Sequence, residues 1–362
     1  MLYHLLLPLQ EWISAFNVFR YITFRTAMAM ITALLISFVL GGRLIRKLRE
    51  MQIGQHIREE GPQSHYAKQG TPTMGGLLIL IAVLVPTLLW TDLKNPFVWI
   101  LTGSTLAFGA LGFLDDYFKI VHRRNLGLTT RQKFVVQGIL ALLVGLGLMA
   151  MSTQGLYNTE LSVPFFKTFR PDLGWWYVPF SMLVIVGSAN AVNLTDGLDG
   201  LAIGSVLIAT GAYALLTYAV GHALVAEYLG IINIKGSGEL TVFCGSLLGA
   251  SLGFLWFNCN PAKVFMGDVG SMSLGAALGT LAVLIKQEIL LVLVGGLFVV
   301  EALSVILQVM SFRLRNGKRI FRMAPLHHHF EQLGWKEPEV IIRFWILAII
   351  FALLGLSTLK LR

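Results

Sequence analysis

Charge is scarce in this chain. Asp, Glu, Lys and Arg together make up 13% of the 362 residues, against roughly 25% in a soluble domain. So few charges could not cover a soluble surface of this size. The apolar residues, 56% of the chain, also come in runs longer than a soluble core requires. Cysteine is scarcer still. Cys244 lies in an apolar run and Cys259 beside a polar motif, neither in a C-x-x-C pair, which argues against a disulfide framework and a cysteine metal centre. The first 20 residues lack the basic start and small-residue cleavage site of a secretory signal, so insertion falls to the first true span. Without an internal repeat, low-complexity tract or appended soluble domain, residues 1–362 read as one integral membrane domain.

What is present are apolar runs at about 22–42, 74–92, 97–115, 134–152, 176–192, 200–219, 240–257, 271–286, 288–310 and 340–360. A helix needs roughly 20 residues to cross the hydrocarbon, so the expected fold is all-α, a polytopic membrane protein of about ten transmembrane helices. The triplet Lys286-Gln287-Glu288 fits a turn at the membrane surface, with one long helix as the competing reading. Trp175, Trp176 and Tyr177 fit an interfacial aromatic belt. The formal net charge is +9, and the basic residues lie in loops, which suits topology and anionic ligands better than nucleic acid. Loops 43–73, 116–133, 193–199, 258–270 and 311–339 carry 18 Lys and Arg, against 8 on the other side. The positive-inside rule makes the first set cytoplasmic and puts both termini outside.

The unusual polar clusters all fall in that first set of loops. Asp115 and Asp116 follow the run GALGFL, with Lys119 and Lys133 close behind. Adjacent carboxylates at a helix end repel unless a cation or lysine neutralises them; an ordinary charged helix end is the plainer alternative. Asn190, Asn193, Asp196 and Asp199 lie with Gly197 and Gly200 between two apolar runs. Such groups coordinate a hard cation or read a base and sugar by hydrogen bonds; capped turns are the alternative. Asn258, Phe265 and Asp268 mark a third loop, in which Phe265 is either a stacking surface for a nucleobase or an interfacial ring. His327, His328 and His329 follow five basic residues between 313 and 322. Adjacent histidines on a helix diverge, which argues against a zinc triad, while imidazoles and arginines suit a diphosphate. Residues 65–76 carry Lys68 and Gly70-Thr71-Pro72-Thr73 but lack the Walker A order. Glu301 and Gln308 sit inside an apolar run, where a carboxylate is a functional candidate or has a polar neighbour.

In order along the chain, KQGTPTMGG at 68–76, LDDY at 114–117, NAVNLTDGLDGLA at 190–202, NPAKVFMGDVGS at 260–271 and APLHHHFE at 324–331 closely resemble the bacterial phospho-N-acetylmuramoyl-pentapeptide transferases, within the polyprenyl-phosphate N-acetylhexosamine-1-phosphate transferase superfamily. The resemblance spans nearly the whole chain. It implies a cytoplasmic active-site cleft, Mg2+ as cofactor, and UDP-N-acetylmuramoyl-pentapeptide and undecaprenyl phosphate as substrates, giving lipid I and UMP. On that analogy Asp268 is the metal ligand, Asp115 the base and Asp116 its support. Lys119, Lys133, His327, His328 and His329 hold phosphate and sugar. Lys68, Asn193, Asp196, Asp199, Asn258 and Phe265 hold the nucleoside. A homodimer is compatible with the sequence. The rivals are a sister transferase using UDP-N-acetylglucosamine and, in another class, a secondary transporter, which would place its polar residues near the bilayer midplane rather than at one face.

Overall fold

In lipid each backbone N–H and C=O must find a partner within the protein, so long apolar runs fold as helices. The computed structural model describes residues 1–51, 70–121, 127–166 and 168–360. Its helices are α1 (Leu2–Leu6), α2 (Ile22–Glu50), α3 (Gly76–Trp90), α4 (Pro96–Val121), α5 (Thr130–Thr153), α6 (Tyr177–Thr195), α7 (Leu201–Gly221), α8 (Ala223–Leu229), α9 (Leu240–Asn258), α10 (Gly267–Leu284), α11 (Glu288–Val294), α12 (Gly296–Leu314), α13 (Leu326–Gln332) and α14 (Glu337–Ser357). Among the described residues no β-strand occurs; an isolated bridge joins Glu160 and Asp172. Among the described residues nine helical segments are long and apolar enough to cross a membrane. The tenth apolar helix, α3, has 15 residues and at 1.5 Å per residue is about 22 Å long. The chain is therefore an all-α, multi-pass membrane protein.

Helix α10 is the axis of the bundle. From Val269 to Leu284 every residue is buried, against α4 and α6 above all. Its small residues permit this: a Cβ at Gly275 would come within 2.5 Å of the Ser188 carbonyl oxygen of α6. Without a hydrophobic force between helices in lipid, such close backbone approach supplies the packing energy. Helix α2 behaves differently. Its buried positions Arg25, Ala29, Ala33, Ser37, Gly41, Ile45 and Leu48 form one narrow stripe, packed chiefly on α9, and most of its remaining residues are partly or fully exposed.

Three expectations change at the end of the bundle where α10 terminates. The 286–288 turn exists, which excludes one continuous helix, but it is buried rather than at the surface: Lys286 is 0% and Glu288 2% exposed. The Lys286 ammonium lies 4.1 Å from the Tyr157 ring centroid and 3.7 Å from that of Tyr177. Tyr177 donates to the Glu288 carboxylate, Tyr157 to the Val283 carbonyl at 2.6 Å, and Tyr213 to that of Gln287 at 2.8 Å. Tyr177 thus leaves the aromatic belt, while Trp175 and Trp176 remain exposed. The run expected at 288–310 is interrupted at Gly295, which separates α11 from α12. Towards this same end Arg25 makes a bidentate pair with Glu239, at 2.7 and 2.6 Å.

Candidate active site

Consecutive aspartates on α4, one aspartate at the start of α10, and a lysine from each of α4 and α5 converge at the other end of the bundle. Asp115, Asp116 and Asp268 each offer a carboxylate oxygen, all within 4.8 Å of one another. Lys119 Nζ lies 2.6 Å from Asp115, 3.3 Å from Asp116 and 2.9 Å from Asp268. Lys133 Nζ lies 3.1 Å from Asp115 and 2.5 Å from Asp268. The i, i+3 and i, i+4 spacings of Lys119 put it on the same helix face as the aspartates. Lys133 is presented by the first turn of α5, which Thr129 and Gln132 close as a capping box.

The backbone is shaped to let these groups meet. Gly267 has φ +71°, and a Cβ there would strike the Asp116 carboxylate at 2.5 Å. Only glycine combines that dihedral with that approach. A Cβ at Gly112 would fall 2.2 Å from the Asp268 carbonyl oxygen, so α4 and α10 touch backbone to backbone. Asp116 also accepts the Val269 N–H at 3.2 Å, one of the amides left without a partner at the start of α10. Asp115 accepts the Leu128 N–H at 2.8 Å.

Asn193, expected among the nucleoside residues, reaches this cluster. Its amide donates to Asp268 Oδ1 and to Ser271 Oγ, both at 2.8 Å. Asp268 is thereby held on both oxygens, by Asn193 on one and by two lysines on the other. Three hard oxygen donors with one negative charge more than the two ammoniums neutralise fit a divalent cation such as Mg2+, and the residues present are therefore a suitable donor set.

Beside this cluster two loops are knitted together. Asp199 accepts the Ala262 N–H at 3.0 Å and the Asn260 amide at 3.3 Å. Asn258, 3% exposed, accepts from Gly200 N–H at 3.0 Å and donates to the Val264 carbonyl at 2.9 Å. Both its carbonyl and its amino group bond within the chain, so it shapes the loop. Phe265 pairs through its backbone, donating to the Pro72 carbonyl and accepting from Gly75, each at 2.8 Å. Its half-buried ring remains on the loop. Asp196 ends α6, partly buried. Burial and the carboxylates of Asp268, Asp116 and Asp199 push its pKa up to about 8. Lys68, Arg123 and Arg124 lie outside the described residues.

The three histidines take different partners, although the rings of His327 and His328 meet edge to face with centroids 4.2 Å apart. His327 is fully buried, with Nδ1 3.2 Å from Glu301 of α12. His328 Nδ1 meets Glu331 at 2.7 Å. His329 Nδ1 accepts the Arg322 N–H at 3.1 Å and its ring packs on Phe321 and Phe330, bracing its own loop. Gln308 does similar work: it accepts from Ile320 and Phe321 N–H and donates to the Phe321 carbonyl. Sequence reading missed Ser271 and left Glu301 open. A glutamate in an apolar run 25 residues before a helix start carried no signal of its partner.

The integral-membrane helix bundle thus gathers carboxylates and lysines at one end. The pattern of the family described as Glycosyl transferase family 4 matches residues 98–286, and that described as Phospho-N-acetylmuramoyl-pentapeptide-transferase signature 1 matches residues 68–80. Proteins named phospho-N-acetylmuramoyl-pentapeptide-transferase are similar throughout. That of Desulfatibacillum aliphaticivorans is 59% identical over 363 residues, covering 100% of both chains. That of Geobacter sp. strain M21 is 59% identical over 362 residues, again covering 100% of both. That of Koribacter versatilis is 58% identical over 364 residues, covering 96% of each. The chain belongs to the phospho-N-acetylmuramoyl-pentapeptide-transferase family.

Proposed function

We infer that this transferase moves phospho-N-acetylmuramoyl-pentapeptide from UDP-N-acetylmuramoyl-pentapeptide to undecaprenyl phosphate, giving lipid I and UMP, the first membrane step of peptidoglycan synthesis. The observation that carries the reading is the convergence of Asp115, Asp116 and Asp268 with Lys119 and Lys133 in a chain whose relatives bear that name over their full length. The excess of basic residues in the loops at this end favours a cytoplasmic active site, the side on which a UDP-sugar is made.

Both substrates are anionic, so the first task is to bring two phosphates together. Lys119 and Lys133 offset that repulsion with charge-assisted hydrogen bonds. Asp115 takes the proton of the lipid phosphate, with Asp116 beside it. The freed oxygen attacks the phosphorus that bears the sugar; the bond from that phosphorus to the UMP oxygen breaks, and UMP leaves with the electron pair. Asp268, with Asp115 and Asp116 nearby, would hold Mg2+, which when bound screens the diphosphate oxygens and stabilises charge on the leaving UMP. Asp268 is held on both oxygens by Asn193 and the lysines, which makes it a poor nucleophile and favours direct attack over a phospho-aspartyl intermediate. The turn at Asp196, Phe265 and the Lys68 segment border the uridine in this reading, and His328 the diphosphate and sugar.

The test is UMP release by purified protein with undecaprenyl phosphate, with and without magnesium, offering UDP-N-acetylmuramoyl-pentapeptide and UDP-N-acetylglucosamine in turn. Release only with the muramoyl substrate, lost on chelation and restored by magnesium, is expected. Preference for UDP-N-acetylglucosamine would move the chain's activity to the sister branch.

A further inference from the structure

Glu301 is fully buried in the second turn of α12, on a face it shares with Leu297, Phe298 and Ser304. A carboxylate there is costly unless its oxygens are taken. They are taken by α13, the helix that carries the three histidines. Glu301 Oε2 accepts the Leu326 N–H at 2.8 Å and Oε1 the His327 N–H at 3.2 Å. These are the first amides of α13, which have no partner within their own helix. The same carboxylate faces His327 Nδ1 at 3.2 Å. That contact is an approach of charge and not a hydrogen bond, since neither ring nitrogen has a hydrogen-bond partner among the described residues; a carboxylate charge beside Nδ1 favours the tautomer that carries its proton there. The opposite nitrogen, Nε2, is buried and makes no hydrogen bond among the described residues. It points at the turn after α6: a Cβ built on Gly197 would lie 2.2 Å from it. Gly197 follows Asp196 and shares its turn with Asp199, which ties that turn to the loop before Asp268.

We propose that Glu301 is a positioning residue for phospho-sugar transfer. It anchors the start of α13 and sets the His327 imidazole so that Nε2 is presented at the Asp196–Gly197 turn to a polar oxygen of the bound UDP-sugar. A single membrane helix then supports both the approach of α13 and the tautomer of its buried histidine. The proposal rests on the transferase reading above. Without a held imidazole the substrate oxygen is misplaced, and a displacement of about 1 Å costs about 10²-fold in turnover.

Glu301→Gln keeps the size and one acceptor but removes the charge that faces Nδ1. We expect kcat to fall about 10²-fold, with KM for UDP-N-acetylmuramoyl-pentapeptide and UMP affinity within about threefold of wild type. Gly197→Ala attacks the same imidazole from the other side, leaves Glu301 untouched, and is expected to reproduce that kcat loss. In a His327→Ala background Glu301→Gln should cost less than about threefold more, because its effect runs through the ring. Full additivity in that cycle, a kcat within about twofold of wild type, or a loss confined to UMP binding and melting temperature would each overturn the proposal. If Glu301→Gln does not fold, the Gly197→Ala and His327→Ala pair decides alone: multiplicative losses reject a shared route through Nε2. Wild-type protein that releases no UMP from the muramoyl substrate would defeat the transferase reading instead, a result distinct from all of these.

Discussion

At the motif-bearing end, Asp115, Asp116 and Asp268 meet Lys119 and Lys133; at the opposite end, Arg25 meets Glu239, and Lys286 shares Tyr177 with Glu288. The opposite end is closed. Arg25 has one acid partner in Glu239, and Lys286 lies over two tyrosine rings, one of which donates its hydroxyl to Glu288. The motif-bearing end is open: acids outnumber bases, two loops border the cluster, and Lys119 and Lys133 remain partly exposed. The contrast teaches that buried charge alone does not mark a site in a membrane protein. What marks it is charge left unbalanced where a ligand can complete it.

Substitutions that target the unbalanced charge should break the contrast most. Asp268→Asn keeps the volume and the Asn193 contact but removes the charge a hard cation needs. UMP release should fall by about 10³-fold or more in a protein that still purifies as a monodisperse species; near-normal turnover in saturating magnesium would remove Asp268 from the metal set. Next comes Lys133→Met, which is expected to lower kcat about 10²-fold. It should also lower the magnesium concentration needed for half-maximal rate, since a competing cation has gone. A higher magnesium requirement would mean that Lys133 organises the donors instead of competing for them.

Smaller effects sharpen the comparison. His328→Ala should reduce transfer about tenfold while UMP affinity, measured by calorimetry, stays within about twofold. An equal fall in UMP binding would place the histidine helix in the nucleotide site. At the opposite end Lys286→Met is expected to leave kcat within about twofold and to lower the melting temperature by about 5 °C or more, because Glu288 is left buried without its cation. A large kcat loss at unchanged stability would show that the two ends are coupled through α10.

The motifs of the open end were legible in the sequence because phosphate chemistry needs polar residues where lipid-facing helices need none. Asp115, Asp116 and Asp268 stand out against apolar flanks for that reason. Roles within the site were less legible. Asn193 reads as a nucleoside contact by its neighbours Asp196 and Asp199, yet helix periodicity turns it toward Asp268. Asn258 reads as a ligand contact but closes a loop within the chain. The all-α, multi-pass character was readable from hydropathy, whereas the break at Gly295 and the burial of Lys286 were not, since hydropathy scores a buried lysine over two tyrosines and an interfacial lysine alike. Glu301 and α13 are brought together only by tertiary packing, which no local pattern announces.

Helix α10 has 89% of its span buried inside protein, whereas α2 and α5 have 28%. A bilayer that thickens or thins acts on the surfaces it wets, and the mismatch is taken up by tilt or by local deformation of lipid. The outer helices carry those surfaces. The helix that bears Asp268 touches little lipid along its length, so the position of that carboxylate is insulated from bilayer thickness, whereas Asp115 and Asp116 ride on α4, whose span is 56% buried.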